Sequence, residues 1–192
     1  MRAIIASLTL LASAAAALAQ DTNAFRAYSS YVDLIEGGRV PIVVLDFGDE
    51  HVTMRSPRGF GAHIDTAIHG VRFEADSGAA ALTIMVTTNS PGALPAADDV
   101  KGLVLARHPG AWVLQTYSFP TSYKPGLFVD LAQAPAANIS LRTRHGFAPA
   151  PKGCIEFIFA ANDADYDKLR VRVMQAIGTI TVETVKEKAE TE

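Results

Sequence analysis

The chain has 192 residues, with 17 Lys and Arg against 20 Asp and Glu, a formal net charge of −3 and a single cysteine. It has no basic tract that could track a phosphate backbone, so no nucleic-acid partner is expected. A lone cysteine excludes an intrachain disulfide and leaves the fold to be held by packing.

The first nineteen residues, MRAIIASLTLLASAAAALA, combine Arg2, an apolar stretch over 3–11 and a small-residue run ending in Ala17-Leu18-Ala19. This is the anatomy of a secretory signal peptide with cleavage before Gln20, and it predicts a secreted or periplasmic protein. No later apolar run is long enough to span a bilayer, so the mature chain is expected not to be membrane-spanning. Residues 20–39 form an N-terminal segment in which Phe25, Tyr28, Val32 and Ile35 recur at helical spacing up to Gly37-Gly38. It reads as a helix or a short strand. A single α+β domain is expected over 40–183, followed by a solvated charged tail over 184–192.

β-Branched and aromatic residues cluster between turn formers at 40–47 and 51–56, the first predicted hairpin. Segments 70–75 and 80–88 form the second, reversing at Asp76-Ser77-Gly78. The stretch 61–70 between them is glycine-rich and reads as a loop. In PAADDVKGLVLARHPG, Val100, Leu103 and Val104 follow a helical step, with Asp98 and Asp99 in the first turn and Pro109 beyond the end. Strands are predicted at 111–119, 126–132, 138–145 and 154–161. The clearest helix is NDADYDKLRVRVMQAIG, where Tyr166, Leu169, Val173, Ala176 and Ile177 make one apolar stripe closed by Gly178. This order of elements argues for an antiparallel β-sheet flanked by helices rather than alternating βαβ units.

On these segments the chain resembles the PsbP-like family, named for an extrinsic protein of photosystem II. The matching stretches are the early hairpins VTMRSPRGF and VRFEADSGAAALTIMV, the mid-chain helix AADDVKGLVLAR, and the ending IEFIFAANDADYDKLRVRVMQAIGTITV. The resemblance covers most of 40–182 in topology and implies an α/β/α sandwich around an antiparallel sheet. Its members look like accessory or assembly factors and not enzymes. It transfers no functional residue and implies no photosystem role.

Chemistry-bearing residues are few. His63, Asp65 and His69 in GAHIDTAIHG are of metal-ligating type, and a metal-dependent periplasmic hydrolase built on them is the alternative reading. Their spacing disfavours it: six residues place the two histidines on different faces of a helix, or about 20 Å apart when extended. There is no H-E-x-x-H, no G-x-S-x-G and no phosphate-binding glycine loop, so no cofactor is expected. Cys154, next to Gly153 and a run of Ile and Phe, reads as a small buried hydrophobe. Two segments suit recognition of a protein partner or small ligand. YSFPTSYKPG brings Tyr117, Phe119, Tyr123 and Lys124 between two prolines, and Arg142 and Arg144 share a strand face ahead of a second proline-containing loop.

The export reading makes a direct prediction. Intact-mass measurement of protein recovered from the cell envelope or medium returns a chain beginning at Gln20, whereas a mature species retaining Met1 would contradict it.

Overall fold

Gly153–Asn162 is the most continuously apolar strand of the protein, with every residue but two buried, and such a run needs cover on both faces. In the computed structural model it lies at the middle of a seven-stranded sheet. The structure describes residues 25–35, 37–47, 50–87, 97–120, 125–136, 139–150 and 153–184. The predicted export segment, Tyr123 and Lys124, and the tail beyond Thr184 lie outside the described residues.

In chain order the strands are β1 (Phe25–Asp33), β2 (Arg39–Phe47), β3 (Glu50–Arg55), β4 (Phe60–Asp65), β5 (Gly70–Ala75) and β6 (Ala80–Thr87). Helix α1 (Ala97–Arg107) follows, then β7 (Trp112–Phe119), β8 (Gly126–Ala136), β9 (Ile139–Ala150) and β10 (Gly153–Asn162). Helix α2 (Asp163–Ile177) and β11 (Thr181–Thr184) close the described fold. All pairings are antiparallel, in two sheets with orders β1-β2-β3-β11 and β4-β5-β6-β10-β9-β8-β7.

The expectation of one antiparallel layer is therefore corrected to two. The chain's last described strand returns to β3, pairing Thr181 with Thr53 and Thr184 with Glu50, and this gives the β1–β3 ribbon a fourth strand. The small sheet then buries one face on the large one. Val43, Leu45, Val52 and Met54 from one sheet and Val71 and Ile84 from the other line a void of about 10 Å³, so the layers meet with almost no space between them. Helix α2 completes this core with Tyr166, Leu169, Val173, Ala176 and Ile177, the stripe read from sequence. Its last turn closes through the Gly178 amide, which donates to the Met174 carbonyl at 2.9 Å. Helix α1 lies on the opposite face of the large sheet, burying Val100 and Val104 against Val129, Leu131, Phe147 and Cys154.

Two local readings are resolved. Of the two alternatives for the N-terminal segment, a helix or a short strand, residues 25–33 take the strand, because all nine pair with β2; tertiary pairing overrides a helical rhythm of apolar residues. The first half of the stretch 61–70, read as a loop, belongs to β4, whose Phe60 opposes Ala75 and whose Asp65 opposes Gly70. A strand carrying Gly61, Ala62 and His63 has little β propensity of its own, and the neighbouring β5 supplies the template.

Close approach makes one glycine in this region obligatory. A Cβ at Gly70 would sit 2.1 Å from the Ile84 carbonyl oxygen, a backbone atom that cannot rotate away. Gly70→Ala is therefore expected to destabilise the fold by about 1–3 kcal/mol, read as a lowered denaturation midpoint; an unchanged midpoint would refute this packing at β5–β6.

Candidate functional site

Strand β9 places consecutive residues, Arg144 and His145, on opposite faces of the large sheet, as the two-residue period of a strand requires. Both are buried, and each is matched by a carboxylate from a neighbouring strand. Facing α2, Arg144 Nε and Nη2 donate to the two oxygens of Asp130 on β8, at 2.7 Å each, and Gln115 Nε2 on β7 donates to Asp130 Oδ2 at 2.8 Å. The register sets this up, since Asp130 lies opposite both Arg144 and Gln115. Burial alone would push the Asp130 carboxyl up. The hydrogen bonds from Arg144 and Gln115 outweigh burial and hold it below the usual carboxylate range. The guanidinium also lies 5.1 Å from the ring centroids of Tyr117 and Phe128.

On the α1 face, His145 Nε2 and Arg107 Nη1 both donate to Glu156 Oε1, joining β9, β10 and the end of α1. Burial again acts to raise the Glu156 carboxyl, but the hydrogen bond and charge of His145 and the nearby Arg107 keep it lowered. The His108 ring stands edge-on to His145 at 5.8 Å, and His145 stacks on Phe147 at 4.8 Å. Desolvation, then the electrostatic influence of His145 and Arg107, lowers His108 to about 4. Burial likewise pushes the Cys154 thiol up to about 12, leaving it in the protonated, unreactive form.

Arg142, on the same face as Arg144, reaches Asp167 at 3.0 Å and lies 4.1 Å from the Tyr166 ring centroid. Both arginines selected from sequence as recognition residues are thus matched by carboxylates. Phe119 is buried and stacked on Phe128 at 3.9 Å, while Tyr117 is half-buried beside the Arg144–Asp130 pair. Four of the sequence-selected residues, Tyr117, Phe119, Arg142 and Arg144, therefore share one face of the β7–β9 end.

The structure does not gather His63, Asp65 and His69. His63 is exposed on β4 opposite Arg72, and Asp65 Oδ1 accepts from the Ala67 amide at 3.0 Å, capping a 3₁₀ turn at Thr66–Ile68. His69, left-handed at φ 49°, lies beyond that turn with its ring 5.0 Å from Phe25. Among the described residues no group of three His, Cys, Asp or Glu side chains is placed to hold a metal ion. Nor is any described helix long and apolar enough to cross a membrane.

Residues that sequence reading passed over lie at the free edge of the large sheet. Trp112 and Leu114 on β7 are 52% and 47% exposed, and the β7–β8 register shifts between Val113 and Gln115, leaving Leu114 in an edge bulge. Asp130 and Glu156 carried a usable signal, a carboxylate inside an apolar strand, which must find a partner when buried.

No family model and no curated protein sequence matches the chain. Among solved structures it is similar to cyanobacterial PsbP (CyanoP) from Synechocystis sp. PCC 6803. The two share 10% identity over 83% of this chain and 93% of that one, with a TM-score of 0.55. The fold is PsbP-like. A second similar structure is a Pseudomonas aeruginosa protein of unknown function, PA94, described as a putative regulator. It shows 14% identity over 80% of this chain and 96% of that one, with a TM-score of 0.45.

The two buried clusters predict acid lability with a definite sign. A folded-state pKa of about 4 at His108, below the ordinary 6.5, means that the unfolded chain takes up a proton first. Stability is therefore lost as pH falls from 6.5 towards 4, and the lowered Glu156 and Asp130 extend the loss to lower pH. Denaturant unfolding of His108→Gln is expected to show a flatter profile than wild type between pH 7 and 4. Parallel profiles would contradict the assignment.

Proposed function

We propose that the protein is an exported accessory domain, with no catalytic role of its own, that binds a protein partner through the β7 edge of its large sheet. The reading rests on one observation above the others: an edge strand presenting Trp112 and Leu114 to solvent at a bulge. A large aromatic displayed on a stiff edge loses little entropy on binding, and tryptophan is enriched among residues that dominate interface energetics. The buried Arg144–Asp130 pair and Gln115 tie β7, β8 and β9 together behind that edge. The chain then runs from Phe119 directly into the segment bearing Tyr123 and Lys124. The signal-peptide pattern of residues 1–19 supports export, and the accessory role is the one the PsbP-like resemblance implies. Within this reading Tyr117, Tyr123 and Lys124 extend the contact, and Arg142 lies at its margin.

Photo-crosslinking in cells separates this surface from the rest. A crosslinker at position 116, exposed on the same strand, is expected to trap a heterologous protein with Trp112 in place. The same group at position 171, where Val171 is 53% exposed on α2, traps none. Trp112→Ala is expected to weaken the trapped complex about tenfold or more. Equal labelling from both positions, or undiminished affinity on Trp112→Ala, would defeat the proposal.

A further inference from the structure

The second exposed apolar feature is independent of β7 and lies at the far edge of the small sheet. Strand β1 ends the order β1-β2-β3-β11, so one side of its backbone has no strand beside it among the described residues. The β2–β3 register begins at Ile42 and the Pro41 carbonyl still accepts from the Ser56 amide at 3.0 Å, so Arg39 and Val40 pair with β1 alone, and the end of the β1–β2 hairpin projects beyond the sheet as a two-stranded ribbon. On it Tyr28 is 42% exposed, Tyr31 64%, Val32 43%, Leu34 42% and Ile35 fully so. A two-stranded ribbon with that much apolar surface in water is marginal alone. Strand β1 has no lysine or proline to protect its edge, and its two charged residues, Arg26 and Asp33, leave Ala27 to Val32 without a charge.

The turn fixes which backbone groups are free. Leu34 N–H donates to the Gly38 carbonyl at 2.9 Å and Gly37 N–H to the Leu34 carbonyl at 3.0 Å, with Gly37 left-handed at φ 80°. Antiparallel pairs alternate between bonded and non-bonded, so even-numbered residues of β1 bond to β2. Odd-numbered residues then turn their N–H and C=O to the open edge.

We propose that this edge pairs with the β1 edge of a second copy of the chain, antiparallel about a two-fold axis at Tyr31, joining two four-stranded sheets into one. A two-fold perpendicular to a sheet requires some residue to oppose its own copy, and the exposed apolar residues of the ribbon centre on 31 and 32. With the axis at Tyr31, Tyr28 lies opposite Leu34 of the second copy, Ser30 opposite Val32, and the Ser29 hydroxyl opposite the Asp33 carboxylate, each twice. Tyr31 meets its own copy. The odd-numbered residues supply roughly six main-chain hydrogen bonds, and every exposed apolar side chain of the strand gains a cross-strand neighbour. Moving the axis to Ser29 would instead set Phe25 against Asp33, an apolar ring against a charge.

The test uses the mature chain. Sedimentation of wild type is expected to show a dimer that dissociates on dilution. Tyr31→Cys is expected to oxidise to a disulfide-linked dimer, because facing residues about 5.5 Å apart are within reach of that bond. Val171→Cys forms no disulfide-linked dimer, and neither does the wild-type chain, whose Cys154 is buried. Tyr31→Asp and Ser29→Pro, the latter removing an outward N–H that β2 does not use, should weaken the dimer at least tenfold. Measured at concentrations where wild type has dissociated, the unfolding midpoint of Tyr31→Asp stays near wild type even if Ser29→Pro fails to fold. A wild-type monomer up to roughly 0.1 mM, far above a micromolar affinity, would overturn the proposal. So would a dimer that Tyr31→Asp leaves intact, or a disulfide formed at Ser29→Cys in preference to Tyr31→Cys.

Discussion

Two adjacent residues of β9 carry buried cationic or basic groups to opposite faces of one sheet, and the arrangement of the β7–β10 half follows from satisfying both. Arg144 takes both oxygens of Asp130, and His145 shares the Glu156 carboxylate with Arg107. An unmatched ion at either place would cost several kcal/mol, so the register of β8, β9 and β10 is held by more than apolar contact. A slip of one residue would move Arg144 into the environment of His145 and leave both carboxylates without a partner.

This constraint also explains how one sheet serves two cores. The face carrying Arg144 continues into the main interior between the sheets and α2, with Phe128, Phe157, Phe159 and Tyr166 around the ion pair. The face carrying His145 is closed by α1, whose terminal Arg107 is itself a member of the cluster. Charge pairing near the middle leaves the edges to carry exposed apolar residues: Trp112 and Leu114 on β7, and Tyr31 with its neighbours on β1. The residues that resemble catalytic groups are either buried and matched, as at Glu156 and His145, or separated, as at His63 and His69.

Much of the fold was legible because its elements are locally consistent. The stripe from Tyr166 to Ile177 reads as a buried helix face from spacing alone, and β10 declares itself by an apolar run broken only at Glu156 before its last residue. β4 did not, because GAHID has neither alternation nor β-branched weight before Ile64, and only its ladder with β5 makes it a strand. β1 had the wrong rhythm, its apolar residues falling at helical intervals while nine pairings with β2 decided otherwise. The candidate site was half visible. Tyr117, Arg142 and Arg144 stood out by residue type, but their partners Asp130 and Asp167 are 14 and 25 positions away, a distance only topology closes. The exposure of Trp112 follows from β7 being the last strand of its sheet, which sequence does not state.

The most direct test of the constraint on β9 is a double-mutant cycle on its better-defined pair, with unfolding free energies measured for Asp130→Leu, Arg144→Met and the combination. Each single change leaves a buried charge alone and is expected to cost about 3–5 kcal/mol. The combined variant removes both charges and should recover most of that loss, giving a coupling energy of a few kcal/mol. Additive losses would mean that the two side chains do not depend on each other and that the register of the sheet is held by apolar packing alone.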